Sequence, residues 1–158
     1  MSLDTVEFLD IASIDQEKST GTWYSQATTG SIPDPRADFC VVAVSAPDNS
    51  SHHIYMYGGM GEYGAFDQTY VLSLPSFRWI RMLEGESPRY GHTCHLVDNS
   101  QMLTVGGARY ENVSEGCDWE MKSVAVLNLN DTTWGSVFAA DTGQYTVPST
   151  IYRVIGGR

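Results

Sequence analysis

The stretch "HIYMYGGMGEYG", His53 to Gly64, sends a β-prone run, Ile54 to Tyr57, straight into two adjacent glycines, Gly58 and Gly59. Aromatic and β-branched residues favour a pleated strand, and glycine reaches the positive φ at which such a strand can turn sharply. "LTVGG" (Leu103 to Gly107) and "RVIGG" (Arg153 to Gly157) have the same form. The expectation is three strands, each ended by a glycine pair.

The pairs fall at 58/59, 106/107 and 156/157, intervals of 48 and 50. Tryptophans at 23, 79 and 134 are 56 and 55 apart, and "DPR" at Asp34 to Arg36 returns as "SPR" at Ser87 to Arg89 after 53 residues. A common period near 50 signals a stacked or radial repeat. Each full unit holds four short strand candidates. In one they are Phe39 to Val44, His53 to Tyr57, Thr69 to Leu74 and Arg78 to Met82. In the next they are His92 to Val97, Gln101 to Val105, Ser123 to Leu129 and Thr133 to Phe138. Four antiparallel strands per unit is the content of one propeller blade.

The pattern resembles the kelch repeat: a Pro-Arg turn, a strand, a strand ending in Gly-Gly, an aromatic or aliphatic strand, then Trp. Pro88, Arg89, His92, Gly106, Gly107 and Trp134 match one copy. Pro35, Arg36, Gly58, Gly59, Tyr70 and Trp79 match the other, with Phe39 in the place of the His. "APDNSSHHIYMYGG" and "CDWEMKSVAVLNLNDTTWGS" are similar to fungal kelch proteins that are secreted or membrane-anchored. The resemblance implies an all-β, partial kelch β-propeller of four-stranded antiparallel blades, about two full blades plus two half-blades. Residues 1–30 would be a half-blade holding the third and fourth strands, Thr5 to Asp10 and Gly21 to Gln26. Residues 31–86 and 87–141 would be the full blades, and 142–158 a partial blade or capping segment. In a blade of this kind Gly58, Gly59, Tyr70, Trp79, Gly106, Gly107 and Trp134 are structural.

Composition bounds the function. The chain has 158 residues, 42% hydrophobic and 18% charged, with 15 glycines, which fits one turn-rich β domain. The net charge is −10, and Lys occurs only at 18 and 122. Such a surface repels phosphate backbones and anionic headgroups, so nucleic acid and direct membrane insertion are excluded as partners. No apolar run is long enough to span a bilayer, and "MSLDTVEFLD" lacks the basic and apolar regions of a signal peptide. Acceptors for N-glycosylation at Asn49, Asn112 and Asn130 point instead to an extracellular or cell-surface history.

In "HTCH", strand alternation puts His92 and Cys94 on one face and His95 on the other, and two same-face ligands make no metal site without more. His52 and His53 also point oppositely and read as a solvated strand start. No metal or cofactor is expected. Cys94 and Cys117 form a disulfide if the long loop folds back over its blade, Cys40 then being a buried thiol; otherwise all three are buried free thiols. Motifs for nucleophilic, phosphate-binding or zinc-protease chemistry are missing. The loops after the glycine pairs carry Glu62, Tyr63, Phe66, Arg109 and Tyr110, the residue types of a binding face; Trp119 is expected to pack on its own blade.

The leading expectation is a protein-interaction scaffold without catalysis of its own. The alternatives are an enzyme-like or accessory kelch protein of the galactose-oxidase kind, holding a small molecule at the channel mouth through Arg36, Arg89 and His92, and a remnant of a longer kelch gene. Unclosed propeller ends would also favour self-association.

Overall fold

The computed structural model describes residues 1–15, 17, 20–85, 87–109, 123–140 and 142–156. Among them the chain forms, in order, β1 (Thr5–Asp15), β2 (Thr20–Ala27), β3 (Thr29–Gly30), β4 (Cys40–Ser45), β5 (His52–Tyr57), β6 (Met60–Gly61), β7 (Gly64–Ala65), β8 (Thr69–Leu74), β9 (Arg78–Leu83), β10 (Tyr90–Val97), β11 (Gln101–Ala108), β12 (Val124–Asn128), β13 (Thr133–Gly135) and α1 (Ser149–Ile155). Two sheets are the blades, β4-β5-β8-β9 and β10-β11-β12-β13, each antiparallel between sequential neighbours. β3 adds to the outer edge of the first by pairing in parallel with β9. β1 and β2 make a separate hairpin, and β6 and β7 a small ribbon.

Register explains why the strand sequences look as they do. Across the first blade Val42 lies opposite Tyr55, Tyr55 opposite Val71, and Val71 opposite Ile80. Paired residues share a face of a pleated sheet, so these four form one apolar face. The other face carries Met56 opposite Tyr70 and Leu72 opposite Trp79. Both faces are covered, so β5 and β8 read as nearly continuous apolar runs, whereas the inner edge strand β4 alternates buried and exposed.

The first face packs against the second blade. Cys40, Val42, Val44, Tyr55, Tyr57, Val71 and Ile80 share a core with Met102, Leu127 and Leu129, and Trp134 packs against it. The Trp134 and Tyr57 rings lie 4.7 Å apart across the seam. The N-terminal segment covers the second face: Leu3 joins Met56, Tyr70, Leu72 and Trp79 in the core there. The Trp79 indole N–H donates to the Leu3 carbonyl at 3.0 Å, and the Thr28 hydroxyl donates to the same oxygen at 2.9 Å.

The C-terminal expectation is corrected in one respect. The "STIYRVI" run before Gly156 is the short helix α1, not a strand ended by glycine, and Gly156 is its C-cap with φ of 78°. Pro148 before the helix start suits a helix N-terminus better than a second blade strand. Tyr145, Val147 and Ile151 of this segment are buried in the inter-blade core. Gly157 lies outside the described residues.

Candidate functional site

Each blade is closed by the same clamp. The Arg36 guanidinium donates to the Gly58 carbonyl at 3.2 Å, and Arg89 donates to the Gly106 carbonyl at 2.8 Å. The Pro-Arg turn of each repeat is thereby tied to its own glycine pair. All four glycines have positive φ, between 68° and 100°. The second of each pair also makes room for the clamp. A Cβ on Gly59 would lie 2.8 Å from the Ala37 carbonyl oxygen, and one on Gly107 2.8 Å from Arg89 Cγ.

These positions correct the channel-mouth expectation. Arg36, Arg89 and His92 are 1%, 4% and 5% exposed, so none presents itself to a ligand in a channel. Arg36 also donates to the Asp34 carbonyl at 3.0 Å and lies 3.7 Å over the Phe66 ring, a cation–π contact. Both arginines donate to backbone carbonyls, which offset part of the cost of burying a guanidinium.

The loop after the first glycine pair is the ribbon β6-β7. Phe66, fixed beneath Arg36, is half-buried, and Tyr63 at the ribbon tip is 94% exposed. Asp34, Pro35, Glu62, Tyr63, Gly64, Ala65 and Phe66 line a cleft of about 350 Å³ beside it. The structure thus brings Glu62, Tyr63 and Phe66 together. Arg109 stands apart, half-buried and donating to the Ser87 hydroxyl at 2.8 Å. Tyr110, Asn112, Cys117 and Trp119 lie outside the described residues.

The cysteine expectation is corrected. Cys94 is disulfide-bonded to Cys40, with Cα atoms 5.5 Å apart. The bond crosses from β10 to β4, the inner strands of adjacent blades. Strand alternation turns Cys40 into the inter-blade core, and β10 brings Cys94 to the same seam.

His53 is likewise corrected from a solvated residue to a fully buried one, while His52 stays exposed beside the Ser45 hydroxyl at 2.8 Å. His53 Nδ1 lies 3.1 Å from the Tyr145 hydroxyl, which lies 2.9 Å from that of Tyr55. Burial pushes the His53 pKa down to about 4, with the charge on His52 adding to the effect. Tyr145 is the polar anchor of the C-terminal segment, a role without a motif. Its one sequence signal is an aromatic in a stretch of turn residues.

Of the remaining sequons, Asn49 is exposed in the β4–β5 turn. The Asn130 side chain accepts from the Thr146 N–H at 2.7 Å. Among the described residues no helix is long and apolar enough to cross a membrane.

Comparison with known proteins bears on this clamp-and-blade arrangement. Residues 5–150 match the KLHDC2/KLHL20/DRC7 Kelch-repeats domain. The chain belongs to the kelch-repeat family. A Kelch repeat-containing protein of Arthroderma benhamiae is 32% identical, over 98% of this chain and 26% of that protein. Host cell factor 2 of Homo sapiens is 29% identical over 71% of the chain and 15% of its own length. The Rab9 effector protein with kelch motifs of Xenopus laevis is 27% identical over 73% of the chain and 31% of its own length. This kelch chain therefore spans less than a third of each of these relatives.

Proposed function

We propose that this kelch-repeat chain is a protein-interaction scaffold whose contact face centres on the β6-β7 ribbon. The observation that carries the reading is Tyr63, a large aromatic standing 94% exposed at the tip of a ribbon anchored by the Arg36–Phe66 contact. An exposed aromatic on a rigid support loses little entropy on docking, as binding anchors generally do. Asp34 and Glu62 beside it favour a neutral or basic partner segment. Kinship with a protein named as an effector of Rab9 supports the same reading. Among the loop candidates Glu62 and Tyr63 are the contact residues, whereas Phe66 and Arg109 hold the ribbon and the adjoining turn. The test is a quantitative pull-down with Tyr63→Ala and Glu62→Lys chains that keep the wild-type circular dichroism and thermal midpoint. Partner recovery falls at least several-fold if the ribbon is the contact face; recovery equal to wild type contradicts it.

We further propose that the chain self-associates through apolar side chains left exposed on the β1-β2 hairpin and on the second blade. Phe8, Ile11, Ile14, Trp23 and Tyr24 on the β1-β2 hairpin are 42–78% exposed, and Val105 of the second blade is 38% exposed. Exposed large apolar side chains grouped in this way favour association.

A further inference from the structure

His92 is held in the seam between the blades without the partners that a buried imidazole needs. It is 5% exposed, and neither ring nitrogen completes a well-formed hydrogen bond; the Tyr57 main chain offers only a weak contact. A buried polar group left so is costly unless something pairs with it. Two sulfurs also lie close to it. One donor atom from each of Cys40, His92 and Cys94 lies within 4.8 Å of the others. His92 and Cys94 share a face of β10, and Cys40 enters from β4, one blade earlier.

We propose that, once the Cys40–Cys94 disulfide is reduced, Cys40, Cys94 and His92 bind a zinc(II) ion. Two thiolates and one imidazole are a zinc donor set, and three protein ligands leave the fourth tetrahedral position to solvent. Tetrahedral geometry at Zn–S distances of about 2.3 Å asks for sulfurs roughly 4 Å apart, and the 5.5 Å Cα separation accommodates this with side-chain rotation. Among the described residues no fourth His, Cys, Asp or Glu joins the cluster. Cys94 is only half-buried, which gives reductant and ion a route in.

The chemistry balances. A dithiol reductant supplies two electrons and two protons, the Cys40–Cys94 S–S bond breaks, two thiols form, and the reductant becomes a disulfide. Zinc binding then releases the two thiol protons to solvent. The inter-blade staple and the metal site are thus alternative states of the same three side chains.

Cobalt(II) reports such a site through thiolate-to-metal charge transfer and the visible bands of tetrahedral cobalt. The full chain carrying Cys117→Ser would be reduced, freed of reductant without air, and titrated with Co²⁺ and then Zn²⁺. The expected result is one equivalent of tetrahedral cobalt with thiolate charge transfer, displaced by zinc, and no bands in the oxidised chain. His92→Gln should weaken Co²⁺ by more than the roughly 10- to 100-fold that loss of a mere supporting group costs, and His95→Gln should change nothing. Zinc should also slow alkylation of Cys40 and Cys94 together, read by mass spectrometry on the chain with His92 intact. If the reduced chain loses structure, cobalt must restore its circular dichroism along with the bands. Bands missing from the reduced chain, or alkylation unchanged by zinc, overturn the proposal.

Discussion

At the scale of single residues, Gly58 and Gly106 occupy the same place in successive repeats but meet different surroundings. Both have positive φ, 68° and 73°, and an L-residue there costs about 1–2 kcal/mol. A Cβ on Gly58 would also collide with the Arg89 carbonyl oxygen and come within 2.8 Å of His92 Cε1, while one on Gly106 would have none of the described residues within 4 Å. Gly58→Ala should therefore destabilise the chain by clearly more than Gly106→Ala, measured as the difference in urea midpoint at constant slope. Equal losses would mean that the second blade does not press on the first as described. The buried imidazole of His53 gives a second test. Its pKa is about 4 in the folded chain, against an ordinary value of 6.5. The unfolded chain therefore binds more protons in that interval, so stability is full above about pH 6.5 and declines as pH falls toward 4. His92, lowered in the same way to about 4, adds the same sign. Denaturation at pH 7 and pH 5 should show this loss, and His53→Phe should keep only the share due to His92. These roles were unevenly legible. The glycine pairs announced their conformations because few other residues adopt positive φ, but the burial of His53 was hidden because it depends on Tyr145, 92 residues away.

Elements were easier to read than their contacts. The strands of both blades follow from β-prone runs bounded by turn residues, signals contained within a few neighbours. The helix α1 escaped because "YRVIGG" has a β-prone composition, and only packing of Ile151 into the core makes seven residues helical there. Such a length is marginal alone, and tertiary contact decides its state. The disulfide partner of Cys94 escaped for a related reason, since residue 40 meets it only when two blades stack. That bond closes a separation of 54 residues, which by chain entropy is worth about 4 kcal/mol. Reducing a Cys117→Ser chain should lower its stability by up to that amount in metal-free buffer, measured by urea titration against the oxidised form. No difference between the two would argue that β4 and β10 are not joined. The β6-β7 ribbon should behave oppositely. Tyr63→Ala removes a side chain in solvent, so its thermal midpoint should match wild type, and a marked drop would show that the ring packs on the blade.

For the whole molecule, two blades stack; the N-terminal segment covers the far face of the first, and among the described residues no further blade follows the second. The outer face of the second blade carries Leu103 opposite Val126 and Val105 opposite Val124; Val126 is buried and Val105 exposed, and none of the described residues lies within 4 Å of a Cβ placed on Gly106. At the other end the β1-β2 hairpin holds Trp23 at 65% exposure, whereas Trp79, its counterpart one repeat later, is 4% exposed. The contrast between these tryptophans is the difference between a strand with a covering neighbour and one without. Repeat arrays ordinarily cap such ends. The period of about 50 residues made the two full blades legible in advance, but which apolar side chains stay exposed depends on which element covers which. Size-exclusion chromatography with light scattering on the purified 158-residue chain measures the consequence directly. The open arc predicts species heavier than the 17.4 kDa monomer, with binding of an apolar dye that falls when Trp23→Lys and Val105→Lys are introduced together. A monodisperse monomer that binds no dye and unfolds in one cooperative step would contradict it.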